Sequence, residues 1–414
     1  MRQIYSFFIF IYNLLLNIFS LFNNKAKLIL RGRKECFGIL KEKIKDEDKI
    51  VWFHVSSLGE LEQAKPLIEC FKERFPGFKI LLSIFSSSAQ KAAFSYNGVD
   101  IAVYMKGDSI YNAKKFIEYA HPSLVFFIKY EFWFNHIIEA SKKGANIYYV
   151  SLILRKGQYF FSPFSFWFQK QLRRINYFFV QDEKTQSLLK KIGIENTLVT
   201  GDTRFDRVAE IANKVKDFPI IKNFINEEKV ILLGSSWQKD EKLFKEAIGK
   251  INTKFKLIIV PHQIEVSHIN YIKKLFPKAI LYSDIFNTSY TNITNTDKIL
   301  VIDSIGILSS LYQYATIAYI GGGFGKGIHN ILEAAIYSKP IVFGKKYNKF
   351  KEAKDLLEEK GAFSVRDSRE LTNILNTLFL NENFYNNACN SNTKYVEENI
   401  GSSEKIIKKI ENII

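Results

Sequence analysis

An α/β architecture of two doubly wound, Rossmann-like domains is predicted by three features of this 414-residue sequence. Short runs rich in β-branched and aromatic residues alternate with amphipathic stretches, as βα units do. Those runs are apolar at nearly every position, which suits strands of a parallel sheet covered by helices on both faces. The series also pauses once, at the polar, Pro-containing stretch 213–229, and then begins again. A chain of this length with 47% hydrophobic residues has material for two or three cores.

The first element is of a different kind. From Ile4 to Phe22 the sequence is almost wholly apolar and uncharged, about long enough at 1.5 Å per residue to cross a hydrocarbon core. No convincing small-residue cleavage site follows, which favours a retained anchor over residues 1–24 rather than a removed signal. Lys25, Lys27, Arg31, Arg33 and Lys34 come after the segment and only Arg2 before it, so the body of the chain is expected in the cytoplasm. Asn13 and Asn17 weaken a full span, and a helix lying in the interface is the alternative.

An N-terminal domain is expected over 25–212. Its strands are 49–57, 79–87, 100–105, 124–131, 146–153 and 177–182. After a linker at 213–229, a second domain over 230–395 has strands at 230–236, 255–262, 278–283, 298–303, 317–323 and 340–344. A Lys/Ile/Glu-rich helix at 396–414 is expected to return to the N-terminal domain.

Ligands on such sheets bind beyond the carboxyl ends of the strands, so the residues there carry the chemistry. HVSSLGE runs from a strand through Ser56, Ser57 and Gly59 into a helix with Glu60 in its first turn. Glu60 is either a carboxylate favoured by the helix start or a general base. Glu131 closes a very apolar strand, where a buried carboxylate needs a partner or a ligand. Arg204 and Asp206 share a turn after Gly201, as a ligand site or as a surface pair. Farther on, Ser235 and Ser236 precede a helix, as N-caps or as a phosphate cradle, and Pro261, His262, Asp303, Ser304 and Gly306 stand at two strand ends.

The glycine-rich run IGGGFGKGIHNILEAA, residues 320–335, is neither of the two common phosphate-loop fingerprints. Gly325-Lys326 is followed by Gly rather than Ser or Thr, and neither GxG start has its third glycine. What remains is strand, loop and a helix expected to begin near His329 and Asn330. A ligand anion against the loop, with Glu333 on vicinal hydroxyls, describes a nucleotide-sugar site; an i,i+4 pair of His329 and Glu333 on a solvated face is the alternative.

The net charge of +17, from 59 Lys and Arg against 42 Asp and Glu, suits a polyanionic partner, although base composition of the genome is an equal source of such a bias. Three scattered cysteines, Cys36, Cys70 and Cys389, give neither a metal-binding spacing nor a disulfide framework. No nucleic-acid module is recognisable.

Taken in order, HVSSLGE (54–60), YEFWFN (130–135), TGDTRFD (200–206), GSSW (234–237), VIDSIGILSSLY (301–312) and the glycine loop continuing to Ala353 resemble the 3-deoxy-D-manno-octulosonic acid (Kdo) transferases. The resemblance covers nearly the whole chain and implies the GT-B fold, two Rossmann-like domains facing a central cleft. It further implies an inverting transfer of Kdo from CMP-Kdo to the glucosamine 6′-hydroxyl of a lipid A precursor at the cytoplasmic face of the inner membrane. Neither metal, cofactor nor nucleic acid is expected; the partners are the donor, the acceptor and membrane lipid. By motif, Glu60 becomes the general base, Glu131 and Arg204 stabilise the transition state, and Ser56, Ser57, Gly59, Ser235 and Ser236 meet the substrates. CMP would lie against Pro261, His262 and Ile305-Gly306-Ile307, with Gly322 and Gly323 beneath it and Asn330, Ile331, Leu332 and Glu333 at the helix start. Relatives read E-T-E-L-W where this chain has Lys129-Tyr130-Glu131-Phe132-Trp133, P-R-H where it has Pro261-His262-Gln263, and Lys where it has Arg204. A UDP-sugar transferase or UDP-GlcNAc 2-epimerase of the same fold is the rival enzyme. A basic membrane-tethered nucleic-acid binder is the rival of another class.

Overall fold

The computed structural model describes residues 1–162, 165–287 and 298–413. It divides into two compact units, Met1–Arg207 with Ile400–Ile414, and Val208–Asn399.

The first unit opens with two helices, α1 (Arg2–Ser20) and α2 (Asn24–Lys43), the second capped by the Asn23 side chain. α1 is long and apolar enough to cross a membrane. Seven parallel strands follow: β1 (Ile50–Val55), β2 (Lys79–Ile84), β3 (Ile101–Tyr104), β4 (Leu124–Ile128), β5 (Asn146–Leu152), β6 (Tyr177–Val180) and β7 (Thr197–Val199), in the order β3-β2-β1-β4-β5-β6-β7. All six residues of β1 are buried because each face of the sheet has its own core. Ile50 and Trp52 join one cluster, while Val51, Phe53 and Val55 join the other. The strand order reverses between β1 and β4, so the crevice at a doubly wound sheet's switch point lies beyond their carboxyl ends. The last helix, Ser402–Glu411, belongs to this unit and buries Ile406, Ile407 and Ile410 in the second cluster.

The second unit repeats the plan with β8 (Val230–Ser236), β9 (Lys256–Pro261), β10 (Ile280–Leu281), β11 (Ile299–Val301), β12 (Ile317–Ile320), β13 (Ile341–Gly344) and β14 (Ala362–Val365). Its order is β10-β11-β9-β8-β12-β13-β14, all parallel, and its switch point lies between β8 and β12. The stretch 213–229 is folded: it contains the helix Pro219–Ile225, with Ile220, Ile221 and Phe224 buried.

Two local expectations differ from the structure. β4 stops at Ile128, three residues short of Glu131, because Lys129 takes a left-handed backbone (φ 59°) that turns the chain. The helix after the glycine loop starts only at Leu332 and lasts four residues. Asn330 Oδ1 accepts the Leu332 N–H at 3.2 Å, a local turn that competes with helix at that point.

Candidate active site

Glu60 and Glu131 follow β1 and β4, the two strands that flank the first switch point. Glu60 lies in the first turn of α3 (Leu58–Arg74), which Ser57 caps: its Oγ accepts the Glu60 N–H at 3.4 Å. The Glu60 carboxylate turns back to accept the Ser56 N–H at 2.5 Å. Burial raises the Glu60 carboxyl from 4.5 to about 7, and the Glu131 charge adds to this, while the Ser56 and Ser57 N–H groups and Lys129 oppose it.

Glu131 has partners of its own. Trp133 Nε1 donates to Oε2 at 2.8 Å, and the Tyr149 hydroxyl fixes the local backbone by donating to the Glu131 carbonyl at 2.8 Å. His54 Nε2 stands 3.4 Å from the same Oε2. His54 is fully buried on β1, and burial holds its pKa below the usual value, so the ring is neutral. Its other nitrogen, Nδ1, lies 2.7 Å from Ser83 Oγ, which accepts from Trp52 Nε1 at 2.7 Å and reaches Met105 Sδ at 3.5 Å. Burial pushes the Glu131 carboxyl up, but contacts from His54, Trp133 and Ser56 outweigh it and hold the group below its ordinary range. Two neighbouring carboxyls are thus pushed apart, one to accept a proton near neutrality and one to stay ionised.

Arg204 opens the helix Arg204–Asn213 and pairs with Asp202, Nε and the second guanidinium nitrogen each reaching Oδ2 at 2.9 Å. Asp202 is buried and also accepts from Gln63 Nε2 of α3 at 2.6 Å. Burial acts to raise the Asp202 carboxyl, yet Arg204, Lys129 and its hydrogen bonds outweigh that and keep it ionised. Asp206, weighed above as the arginine's partner, is occupied elsewhere. Its carboxylate accepts the N–H groups of Gly401, Ser402 and Ser403 at 2.7, 3.2 and 2.7 Å and so caps the last helix.

In the second unit a cavity of about 450 Å³ opens beside the switch point, lined among others by Ser235, Pro261, His262, Ile305 and Gly306. Ile305 is 82% exposed, an apolar side chain held out into solvent at the cavity wall. Ser236 points away: its hydroxyl donates to buried Glu241 at 2.7 Å, and Glu241 in turn holds His268. Asp303 accepts the Ser283 N–H at 3.0 Å and ties β11 to the segment after β10. Ile307 precedes the short helix Leu308–Leu311.

The glycine loop lies at the switch point itself, and its glycines answer to the protein's own backbone. A Cβ on Gly321 would sit 2.2 Å from the Ser235 carbonyl oxygen. Gly322 has φ 90°, and its N–H is held by Asp240 Oδ2 at 2.9 Å. Gly322 and Gly323 are buried, as are the side chains of Ile331 and Leu332. Asn330 Nδ2 donates to Glu333 Oε1 at 2.9 Å. His329 is drawn away from Glu333 into a stack with His262, the ring centroids 4.3 Å apart, and with Trp237. Trp237 Nε1 donates to His329 Nε2 at 3.0 Å. Burial and the neighbouring His262 lower the His329 pKa to about 4, and burial lowers that of His262, so a neutral aromatic stack borders the cavity. Among the described residues no cluster of three or more His, Cys, Asp or Glu is placed to hold a metal ion.

Residues 31–207 match the family model of 3-deoxy-D-manno-octulosonic-acid transferase (kdotransferase). The first unit carries a Kdo-transferase domain. Similarity to curated Kdo transferases reaches over most of the chain. It is 28% identical over 387 residues to the Rickettsia bellii 3-deoxy-D-manno-octulosonic acid transferase, with 89% of each chain covered. With the enzyme of that name from Chlamydia trachomatis serovar D it shares 27% identity over 363 residues, 84% of this chain and 81% of that one. The fold also matches the UDP-GlcNAc 2-epimerase from Neisseria meningitidis solved with UDP-GlcNAc, at a TM-score of 0.63 and 16% identity, over 88% of this chain and all of that one. That places the two parallel sheets in the GT-B-like class of glycosyltransferases and epimerases.

Within the Kdo-transferase domain, His54, Gln63, Trp133 and Asp202 surround the expected residues without having been singled out in the sequence. His54, Trp133 and Asp202 lie inside the recognised motifs, and that adjacency was the one signal available for them. Gln63 lies one turn beyond Glu60. In the second unit the sequence suggests Glu333 as a partner for His329, whereas its contact with Trp237 needs β8 and β12 brought side by side.

Proposed function

We propose that this protein is a Kdo transferase that moves Kdo from CMP-Kdo to the glucosamine 6′-hydroxyl of a lipid A precursor at the cytoplasmic face of the inner membrane. The observation that carries the reading is the pair of neighbouring carboxyls after β1 and β4, Glu60 held by the Ser56 N–H at 2.5 Å and Glu131 by Trp133 Nε1 at 2.8 Å, with pKa values moved in opposite directions. An alcohol is a weak nucleophile, and a base near pH 7 is matched to taking its proton. In the proposed step ionised Glu60 accepts that proton while the acceptor oxygen bonds to the anomeric carbon of Kdo. The bond from that carbon to the CMP phosphate oxygen breaks on the opposite face, so the configuration inverts and CMP leaves as an anion. Ser56 orients Glu60 through its N–H. Glu131 stays ionised, keeps the Glu60 pKa high and offers negative charge to the electron-poor anomeric centre. Arg204, steadied by Asp202, supplies a cation for the leaving group. In the second unit the cavity beside Ser235, His262 and Ile305-Gly306 takes the nucleotide; a neutral stacked histidine suits a ring better than a phosphate.

Support for the sugar comes from the name these relatives share, and support for a lipid acceptor from the long apolar α1; CMP as its carrier is what the family resemblance implies. The test supplies CMP-Kdo, generated in situ, with a tetra-acylated lipid A precursor and follows the lipid by mass spectrometry. Gain of Kdo is expected. Folded protein that makes no Kdo-lipid, or that instead epimerises UDP-GlcNAc, overturns the reading.

A further inference from the structure

Although α1 has the length of a membrane span, its contacts describe another placement. Half-buried residues recur at Arg2, Tyr5, Ser6, Ile9, Asn13, Leu16 and Ser20, one stripe of the helix, with Ile11 half-buried on the other side; Arg2, Tyr5 and Ser6 of this stripe are bonded to the body of the first unit. Arg2 donates to Asn135 Oδ1 at 2.8 Å and pairs with Glu139 at 2.6 Å. The Tyr5 hydroxyl donates to buried Asp108 at 2.6 Å, and its ring meets Phe134 and Trp167 at centroid distances of 5.5 and 5.7 Å. Asn135 Nδ2 donates to Ser6 Oγ at 3.0 Å. Farther along, Tyr12 meets Phe85 at 6.3 Å, and Arg33, buried on α2, lies over that ring at 4.3 Å. The docked stretch from Arg2 to Asn13 covers about 17 Å of helix axis at 1.5 Å per residue.

A helix crossing the bilayer would have to give up these bonds. It would carry Arg2 about 28 Å away from its partners and leave Asp108, Asn135 and Glu139 without them. The opposite face is equally definite. Phe7, Phe8, Phe10, Leu14, Leu15 and Phe19 are exposed, an apolar strip too large to be stable in water. On α2, which follows at once, Lys25, Lys27, Arg31 and Lys34 are exposed, whereas Arg33 is turned inward. An apolar helix face followed in the chain by exposed cations, of which Lys27, Arg31 and Lys34 share one side of α2, is complementary to an anionic bilayer surface.

We infer that α1 lies in the plane of the membrane, its docked stripe on the first unit and its apolar face in an anionic lipid leaflet, and does not cross the bilayer. The placement sets a distance as well. Phe85, against which Tyr12 packs, is 4.9 Å from Trp133, whose indole binds Glu131. Two aromatic rings, Phe85 and Trp133, therefore stand between α1 and the Glu131 carboxylate. This topology rests on contacts within the first unit and stands whichever sugar or acceptor the enzyme uses.

The decisive experiment appends an epitope and a protease site ahead of Met1 of the full chain, expressed in a Gram-negative host. Protease is added to inverted inner-membrane vesicles and to intact spheroplasts, with detergent-treated samples to verify that the site is cleavable. An in-plane helix gives cleavage in inverted vesicles and protection in spheroplasts. The reverse pattern places the N-terminus across the membrane and overturns the inference. Replacing Phe7, Phe8 and Leu15 together by Ser, side chains that contribute little to the fold, should weaken binding to phosphatidylglycerol-containing vesicles by at least tenfold with the melting temperature unchanged. Undiminished binding of that variant also overturns it.

Discussion

Glu60→Gln separates the proposed role of Glu60 from a structural one, because the two make opposite predictions for activity and stability. Gln keeps the size of the side chain and an oxygen to accept the Ser56 N–H, but it cannot take a proton at neutral pH. Loss of a positioned base costs about 100- to 10,000-fold in rate. CMP affinity, seated in the second unit, should change by less than about twofold, since Glu60 does not line that cavity. Stability should move the other way. The rise from 4.5 to about 7 corresponds, at 1.36 kcal/mol per pH unit, to about 3 kcal/mol against the ionised form in the folded protein. The folded state binds this proton more tightly than the unfolded state, so the wild type loses stability as pH climbs from 4.5 to about 7 and no further beyond it. Gln carries no such penalty. The variant should therefore equal the wild type near pH 4 and exceed it by up to about 3 kcal/mol at pH 8, read by urea denaturation at both pH values. Wild-type kcat/KM should fall tenfold per pH unit below about 7, being about 100-fold down at pH 5. Retained turnover in the variant, or a wild-type acid limb near 4.5, would refute the assignment of Glu60 as base.

Three further outcomes follow from the same geometry. Glu131→Gln removes the charge that helps to raise Glu60, so the acid limb of its residual activity should move to lower pH; a limb that stays in place would show the carboxyls to be uncoupled. Ile305→Asp puts a charge on an exposed cavity wall and should weaken CMP binding at least tenfold by titration calorimetry, with thermal stability unchanged because the side chain is not packed. Asp206→Ala removes the acceptor of three helix-start N–H groups, worth about 1–2 kcal/mol, and amides of Ser402–Glu411 should exchange hydrogen about tenfold faster.

What was legible in the sequence followed periodicity and composition. β1, β4 and β5 are apolar throughout because both sheet faces are covered, and that pattern shows before any partner is known. β14 is not marked in the sequence: Ala362-Phe363-Ser364-Val365 is only four residues long and lies at a sheet edge, too short for a pattern to show. Glu60 and Glu131 stand out in the sequence by their positions after strands, and the partner that Glu131 needs is Trp133, with His54 3.4 Å away. The partners themselves were out of reach, since His54 looks like one more residue of an apolar strand until Ser83 and Glu131 flank it. The glycine loop was read as room for a nucleotide. In the structure Gly321 is small because the Ser235 carbonyl occupies the space, a constraint between strands 80 residues apart that no local spacing reveals.

The TGDTRFD segment shows how such distant constraints divide one motif. Asp202 and Asp206 flank Arg204 at equal distance, and by sequence each could serve it. The helix that begins at Arg204 decides between them. Asp202, just ahead of it, has its side chain free to accept the Arg204 N–H at 2.9 Å while also gripping the guanidinium, the geometry of a helix-start carboxylate. Asp206, already in the first turn, faces the other way and meets the N-terminus of a helix almost 200 residues later in the chain. Three charge-assisted bonds to that helix start hold the Asp206 carboxylate there. The cation at Arg204 is consequently held by the buried residue, which Gln63 of α3 also holds, so its position is tied to the helix that carries Glu60. Any loosening of Asp202 should displace Arg204 while leaving the terminal helix docked, and loosening Asp206 should do the converse. Two aspartates in one heptapeptide thus serve the proposed site and the fold separately.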